Sequence, residues 1–175
     1  MSNERPKQRK GAKATPTSAG ILLYRVADEG VSVMLAHPGG PFFQCKDAGA
    51  WSIPKGLVNP DESPQDAARR EFEEEVGWRP DGELHPLGEV RLKSGKRLIA
   101  FALRTHEAPA RLCERFSPGV FTMEWPRGSG RLVEMPEVDR IAFFAIDAAR
   151  EKINPAQQPL LDRLLDLEAL RPGKR

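Results

Sequence analysis

A chain of 175 residues with 39% hydrophobic and 30% charged side chains has the size and balance of one globular domain, able to bury a core without disulfide or metal staples. No apolar run approaches the ~18–20 residues that span a bilayer, the first eighteen residues lack the apolar core of a secretory signal, and Cys45 and Cys113 stand far apart. A cytoplasmic protein with no membrane partner and no disulfide framework is therefore expected.

The net charge of +2 is unevenly distributed, because residues 1–16 carry Arg5, Lys7, Arg9, Lys10 and Lys13 against Glu4 alone. Short charged termini are usually solvated, so 1–16 reads as a basic tail and nucleic acid is not the expected partner. The domain is expected over 17–170, with 171–175 as a short C-terminal tail. Within it, Ser18–Val26 and Val31–His37 are rich in aliphatic residues and flank Ala27-Asp28-Glu29-Gly30, a hairpin signal. Pro38–Ala50 is a Gly/Pro-rich loop, Trp51–Ile53 a short strand, and Pro54-Lys55-Gly56 starts another loop. A helix follows over Pro64–Val76: Ser63 is the N-cap, Pro64 occupies the first helical position, and Gly77 provides a left-handed stop. Further on, Leu87–Leu92 and Leu98–Arg104 flank a second hairpin turn at Lys93–Lys96, and Gly119–Trp125 and Arg140–Ile146 are strand candidates. Two helices close the chain, Asp147–Lys152 and Pro155–Leu170, the second with an apolar stripe of Leu160, Leu161, Leu164, Leu165 and Leu167. Strands with helices between and after them, without strict βα alternation, predict an α+β fold in which a mixed sheet is flanked by helices.

The helix over Pro64–Val76 gives its faces different tasks. Positions i, i+3 and i+4 share a face, so Glu71, Glu74 and Glu75 fall within about a 100° arc. Ala68, Phe72 and Val76 form the adjacent apolar arc, and Glu73 points elsewhere, where Arg69 can pair with it. Three carboxylates on a rigid helix are hard oxygen ligands that suit Mg²⁺ or Mn²⁺, which retain waters and take a few carboxylates together with substrate phosphates. An acidic solvated face is the alternative, since like charges on an exposed helix cost only a few tenths of a kcal/mol per pair.

The segment Gly56–Trp78, GLVNPDESPQDAARREFEEEVGW, resembles the Nudix box at Gly56, Glu62, Arg70, Glu71, Phe72, Glu74, Glu75, Gly77 and Trp78. The resemblance implies an α/β/α sandwich and metal-dependent hydrolysis of a phosphoanhydride bond in a nucleoside polyphosphate. It also implies that Glu71, Glu74, Glu75 and the Gly56 carbonyl bind Mg²⁺ (or Mn²⁺), while Arg70 and Glu62 brace the loop on the helix. Trp51–Gly56 is similar to the segment that enters the box in the dinucleoside tetraphosphate hydrolase branch, which points to diadenosine tetraphosphate and to Lys55 as a phosphate contact. That branch also places a further catalytic or metal-binding glutamate before a late strand, the position of Glu137 here, with Glu134 and Asp139 as substitutes, although no histidine follows it. Lys93 and Lys96 are candidates to touch remote phosphates, and His37, Phe42, Phe43, Trp51 and Trp125 are candidates for the aromatic contacts of a base, which one or two of the five are expected to make. A nucleoside triphosphate house-cleaning enzyme, processing of RNA 5′ ends, and a Nudix-fold nucleotide-binding module without turnover are the competing readings.

Overall fold

The computed structural model describes residues 16–171, so most of the basic tail and residues 172–175 lie outside the described residues. The first strand, β1 (Thr17–Ala27), is buried on both faces over Ser18–Tyr24. This explains its unbroken apolar run: alternate side chains feed two different cores. Ile21 and Leu23 join one cluster with Phe72 and Val76; Leu22 and Tyr24 join the other with Leu160, Leu161 and Leu164.

β1 forms the expected hairpin with β2 (Gly30–Pro38). It also pairs parallel with β5 (Arg97–Arg104), the partner of β4 (His85–Arg91) in the second expected hairpin. With β8 (Val138–Ala145) on the outer side of β2, the sheet runs β4-β5-β1-β2-β8, one parallel pair among antiparallel ones. Helices α1 (Pro64–Val76) and α2 (Pro109–Glu114) contribute Phe72 and Leu112 to the core on one side. On the other side, α3 (Ile146–Lys152) and α4 (Gln158–Ala169), the latter entered through a 3₁₀ turn at Pro155–Gln157, supply Ala149, Leu160 and Leu164. The result is the expected α/β/α sandwich around a mixed sheet.

Three local expectations change. Trp51–Ile53 makes only isolated bridges, Ser52 to Ala36 and Trp51 to Ile153, while the regular strand is β3 (Lys55–Leu57), antiparallel to Ser18–Gly20 of β1. Pro54 brings no N–H to a ladder, so pairing resumes only after it. Helix α2, six residues without a side-chain cap, is too short for its periodicity to show in the sequence. Finally, the expected strand at Gly119–Trp125 is β6 (Val120–Glu124), and it joins no part of the main sheet. It pairs with β7 (Leu132–Pro136), which the sequence reading did not contain, as a separate two-stranded hairpin.

Helix α1 is bracketed as its sequence requires. The Ser63 side chain accepts from the Asp66 N–H at 3.1 Å, and Gly77, at φ 93°, returns its N–H to the Glu73 carbonyl at 2.8 Å. A Cβ on Gly77 would lie 2.3 Å from the Ser117 carbonyl oxygen. Gly77→Val is therefore expected to destabilise by ~1–2 kcal/mol or more, from strained φ and the overlap together. A melting temperature equal to that of the parent would contradict this.

Candidate functional site

The loop Val58–Ser63 and helix α1 are fastened by one side chain. Arg70 donates from Nε and Nη2 to the two carboxylate oxygens of Glu62 at 2.8 and 2.9 Å, and from Nη2 to the Leu57 carbonyl at 2.9 Å. Its Nη1 reaches Glu71 at 2.8 Å and Glu74 at 3.1 Å. Glu62 also accepts from the backbone and side-chain N–H groups of Asn59, and the Arg70 guanidinium beside it holds its carboxyl below the usual range. The guanidinium thus ties strand β3, the loop and the acidic helix face together through charge-assisted hydrogen bonds. Arg69 does not take Glu73: it caps the chain after the helix by donating to the Pro80 and Gly82 carbonyls, both at 2.6 Å, while Glu73 stays exposed.

Glu71 lies against Gly56 so closely that a Cβ there would be 1.8 Å from its Oε2. Only glycine leaves space for the carboxylate beside the β3 backbone. Glu75, one turn on, points into a cleft of about 110 Å³ lined by Ser52, Ile53, Lys55, Glu137 and Val138 among others. It accepts from the Lys55 N–H at 3.1 Å. Burial pushes its carboxyl up to about 7; the Lys55 charge and N–H oppose the rise, and Glu71 and Glu137 add to it.

Glu137 is placed by main chain rather than by side-chain packing. The Gly119 N–H donates to the Glu74 carbonyl at 2.9 Å, the Glu137 N–H to the Gly119 carbonyl at 3.0 Å, and the Gly39 N–H to the Glu137 carbonyl at 2.9 Å. A Cβ on Gly39 would lie 1.9 Å from the Pro136 carbonyl oxygen, so this approach also requires glycine. These three bonds run from the C-terminal half of α1 to the loop after β2 and set Glu137 beside Glu75.

The acidic arc is less convergent than its phase on the helix suggests. Glu74 is 53% exposed and turned to Arg70, whereas the Glu71 side chain is 14% exposed. Among the described residues, no three His, Cys, Asp or Glu side chains already close on a point where a metal ion would sit. The donor chemistry nevertheless fits a divalent cation. Glu71, Glu75 and Glu137 crowd like charge around a largely buried carboxyl, the donors are hard oxygens, and Gly56 keeps the Glu71 face free of a side chain.

Other expected contacts fall elsewhere. His37 is fully buried, with Nδ1 on Asp139 Oδ1 at 2.8 Å and Nε2 on the Lys46 carbonyl at 2.7 Å, so neither ring nitrogen is left for a base. Trp51, 4% exposed, packs edge-on to His37 and Phe144 and donates Nε1 to Asp47 at 2.9 Å. Both serve as interior residues. Phe43 is half-buried with the Lys46 ammonium 5.2 Å from its ring centre, and Phe42 and Trp125 pack edge-on at 5.2 Å near the surface. Lys93 and Lys96 are exposed at the β4–β5 tip. From the register Lys55–Gly20–Ala100, Lys96 lies two strands across and four residues along, roughly 16 Å from Lys55 at ordinary strand spacings. The cationic track of Lys55, Lys93 and Lys96 is not assembled; Lys55 alone lines the cleft. The sequence reading missed Gln157, which is buried and accepts from the Ile53 N–H at 3.0 Å while donating to Ser52 Oγ at 2.9 Å, holding the cleft wall.

Glu75 also makes stability depend on pH. Its carboxyl sits near 4.5 when unfolded and about 7 when folded, so the folded protein binds the proton more tightly. The stabilising contribution is fully present below pH 4.5 and is lost as pH rises through 7, by roughly 3 kcal/mol at 1.36 kcal/mol per unit. With chelator present, the melting temperature of the parent is expected to fall relative to that of Glu75→Gln across that window. Parallel profiles would refute the assignment.

Comparison with known proteins bears on family and fold. An RNA pyrophosphohydrolase of Pseudomonas putida is 37% identical over 84 residues, 45% of this chain and 50% of the relative, so the chain spans about half the length of the curated relatives it matches. In fold, the chain is similar to the NUDIX domain of Shewanella oneidensis NrtR complexed with ADP ribose (TM-score 0.62, 16% identity, 95% of this chain and 94% of that one). It is also similar to a C. elegans Ap4A hydrolase binary complex (TM-score 0.57, 16% identity, 87% of this chain and 98% of that one). The model of the NUDIX domain matches residues 14–164, most of the chain, and the protein belongs to that family.

Proposed function

We propose that the chain is a divalent-metal-dependent hydrolase of phosphoanhydride bonds in nucleoside polyphosphates. The observation that carries this reading is Glu75, largely buried, raised to about 7, and sharing one cleft with Glu137 and Lys55. Glu71, Glu74, Glu75 and the Gly56 carbonyl are the proposed holders of Mg²⁺ or Mn²⁺. When bound, the cation supplies charge neutralisation for the phosphate oxygens and an acidified water. Arg70 and Glu62 hold the β3 loop and Glu71 in fixed relation. Lys55 neutralises the phosphate that enters the cleft, and Glu137 orients the attacking water and accepts its proton. No covalent intermediate is involved: Ser52, the serine in the cleft wall, donates its Oγ–H to the Ile53 carbonyl at 2.8 Å rather than to a base, and no cysteine among the described residues lines the cleft.

For the substrate, the Trp51–Gly56 segment supports a dinucleoside polyphosphate such as diadenosine tetraphosphate, cleaved to ATP and AMP, although the unassembled lysine track removes one argument for it. A second reading, 5′-triphosphorylated RNA, is favoured by the 37% identity to RNA pyrophosphohydrolases over the segment they share. Chromatography of products from diadenosine tetraphosphate, ATP and a 5′-triphosphorylated oligonucleotide at equal concentration, with Mg²⁺ and with chelator, tests both. Release of ATP and AMP from the dinucleotide at the highest kcat/KM supports the first reading, and release of pyrophosphate from the oligonucleotide supports the second. Turnover that persists in chelator rejects the metal-dependent mechanism.

A further inference from the structure

The acidic cleft, at about 110 Å³, lies well below the ~300–1,000 Å³ of sites that enclose a whole small molecule. It has room for a phosphate group but not for a nucleoside. A second pocket of about 360 Å³ lies against it, between the turn at Gly40–Gln44 and the β6–β7 hairpin. The two share a wall. Pro38, Glu137 and Val138 line the cleft, while Gly40, Pro136 and Asp139, their neighbours in sequence, line the pocket. The wall is the segment pinned by the Gly39 to Glu137 backbone bond.

Walls and rim of this pocket suit a flat aromatic guest. Trp125, Val133, Met135 and two prolines supply apolar surface, and Trp125 is half-buried with its ring steadied edge-on by Phe42. At the rim, Gln44 offers an amide donor and acceptor. Asp139 Oδ1 accepts from His37 Nδ1, and its Oδ2 has no hydrogen-bond partner among the described residues. With Glu134 also in the lining, two carboxylates disfavour a phosphate here and suit an exocyclic amino group.

Resting on the hydrolase reading, we infer that this pocket holds the nucleobase of the substrate, a purine stacked on Trp125, while its phosphates reach across the Pro136–Val138 wall into the cleft of Glu75 and Glu137. Base stacking on aromatic side chains tolerates the identity of the base, so Trp125 governs affinity, and Gln44 and Asp139 govern preference.

Tryptophan fluorescence of the full chain, titrated with AMP and separately with ribose 5-phosphate, tests the site without requiring turnover. Saturable quenching by AMP, absent with ribose 5-phosphate and absent in Trp125→Phe, is expected. Equal response to the two ligands, no response, or quenching that persists in Trp125→Phe overturns the proposal. In turnover, Trp125→Ala is expected to raise KM for ATP at least ~5-fold with kcat within about twofold of the parent; a fall in kcat at unchanged KM overturns it. If the parent hydrolyses no polyphosphate, the hydrolase reading fails, and the fluorescence titration alone still decides the pocket.

Discussion

Glu75→Gln is expected to lower turnover at least ~100-fold while the protein remains folded. The substitution keeps the size of the side chain and its acceptor for the Lys55 N–H at 3.1 Å, but removes the charge that the proposed cation needs. In the metal-free protein the variant should be the more stable of the two above pH 7, since it abolishes the cost of ionising a largely buried carboxyl. Loss of activity and gain of stability in one variant separate a functional group from a structural one. Glu73→Gln provides the control, because Glu73 is exposed and makes only a long 3.8 Å ion pair with Arg79. It should alter kcat/KM less than twofold, and a loss there comparable to that at Glu75 would show that the acidic face is wrongly assigned.

Gly56→Ala is expected to reduce activity at least ~100-fold with a stability change under ~1 kcal/mol. The added methyl would overlap the Glu71 carboxylate, with Oε2 at 1.8 Å and Cδ at 2.0 Å, yet touches no other group as closely. A glutamate terminus is flexible and can swing aside into solvent at small cost to the fold. It cannot do so and keep both its place beside β3 and its 2.8 Å bond from Arg70. Site geometry carries the effect because small displacements of a catalytic group cost large factors in rate. A variant with full activity would show that Glu71 works from another position; an unfolded one would show that the β3 ladder, not the carboxylate, fixes residue 56.

How much of this was legible in the sequence depends on the range of the interaction. Ser63, Pro64 and Gly77 delimit α1 through bonds within one turn, so the helix and its acidic face follow from local rules. The apolar run of β1 announces a strand, and burial on both faces is the reason it does not alternate. Long-range placement was harder to read. His37 and Trp51 looked available to a base because a strand pattern does not reveal what covers each face; Asp139, 102 residues away, and Phe144 complete their surroundings. Lys93 and Lys96 were grouped with Lys55 by charge alone, whereas the β1–β5 register places them at another part of the sheet. The β6–β7 hairpin escaped notice because Leu132–Pro136 is short and ends in proline, and only its register with Val120–Glu124 makes it a strand. The nucleobase pocket depends on that hairpin and was hidden with it.

The backbone chain from Glu74 through Gly119 and Glu137 to Gly39 divides responsibilities between main chain and side chain. Since carbonyls and amides hold Glu137, the identities of residues around it are free of that duty. Trp125, Val133 and Met135 hang from the same hairpin and wall. They are therefore exchangeable without moving the carboxylate that faces Glu75. A scaffold of this kind lets selectivity drift while chemistry stands still: one frame, inherited intact, could be refitted to a different base or a longer polyphosphate by changing a handful of side chains on its outer edge.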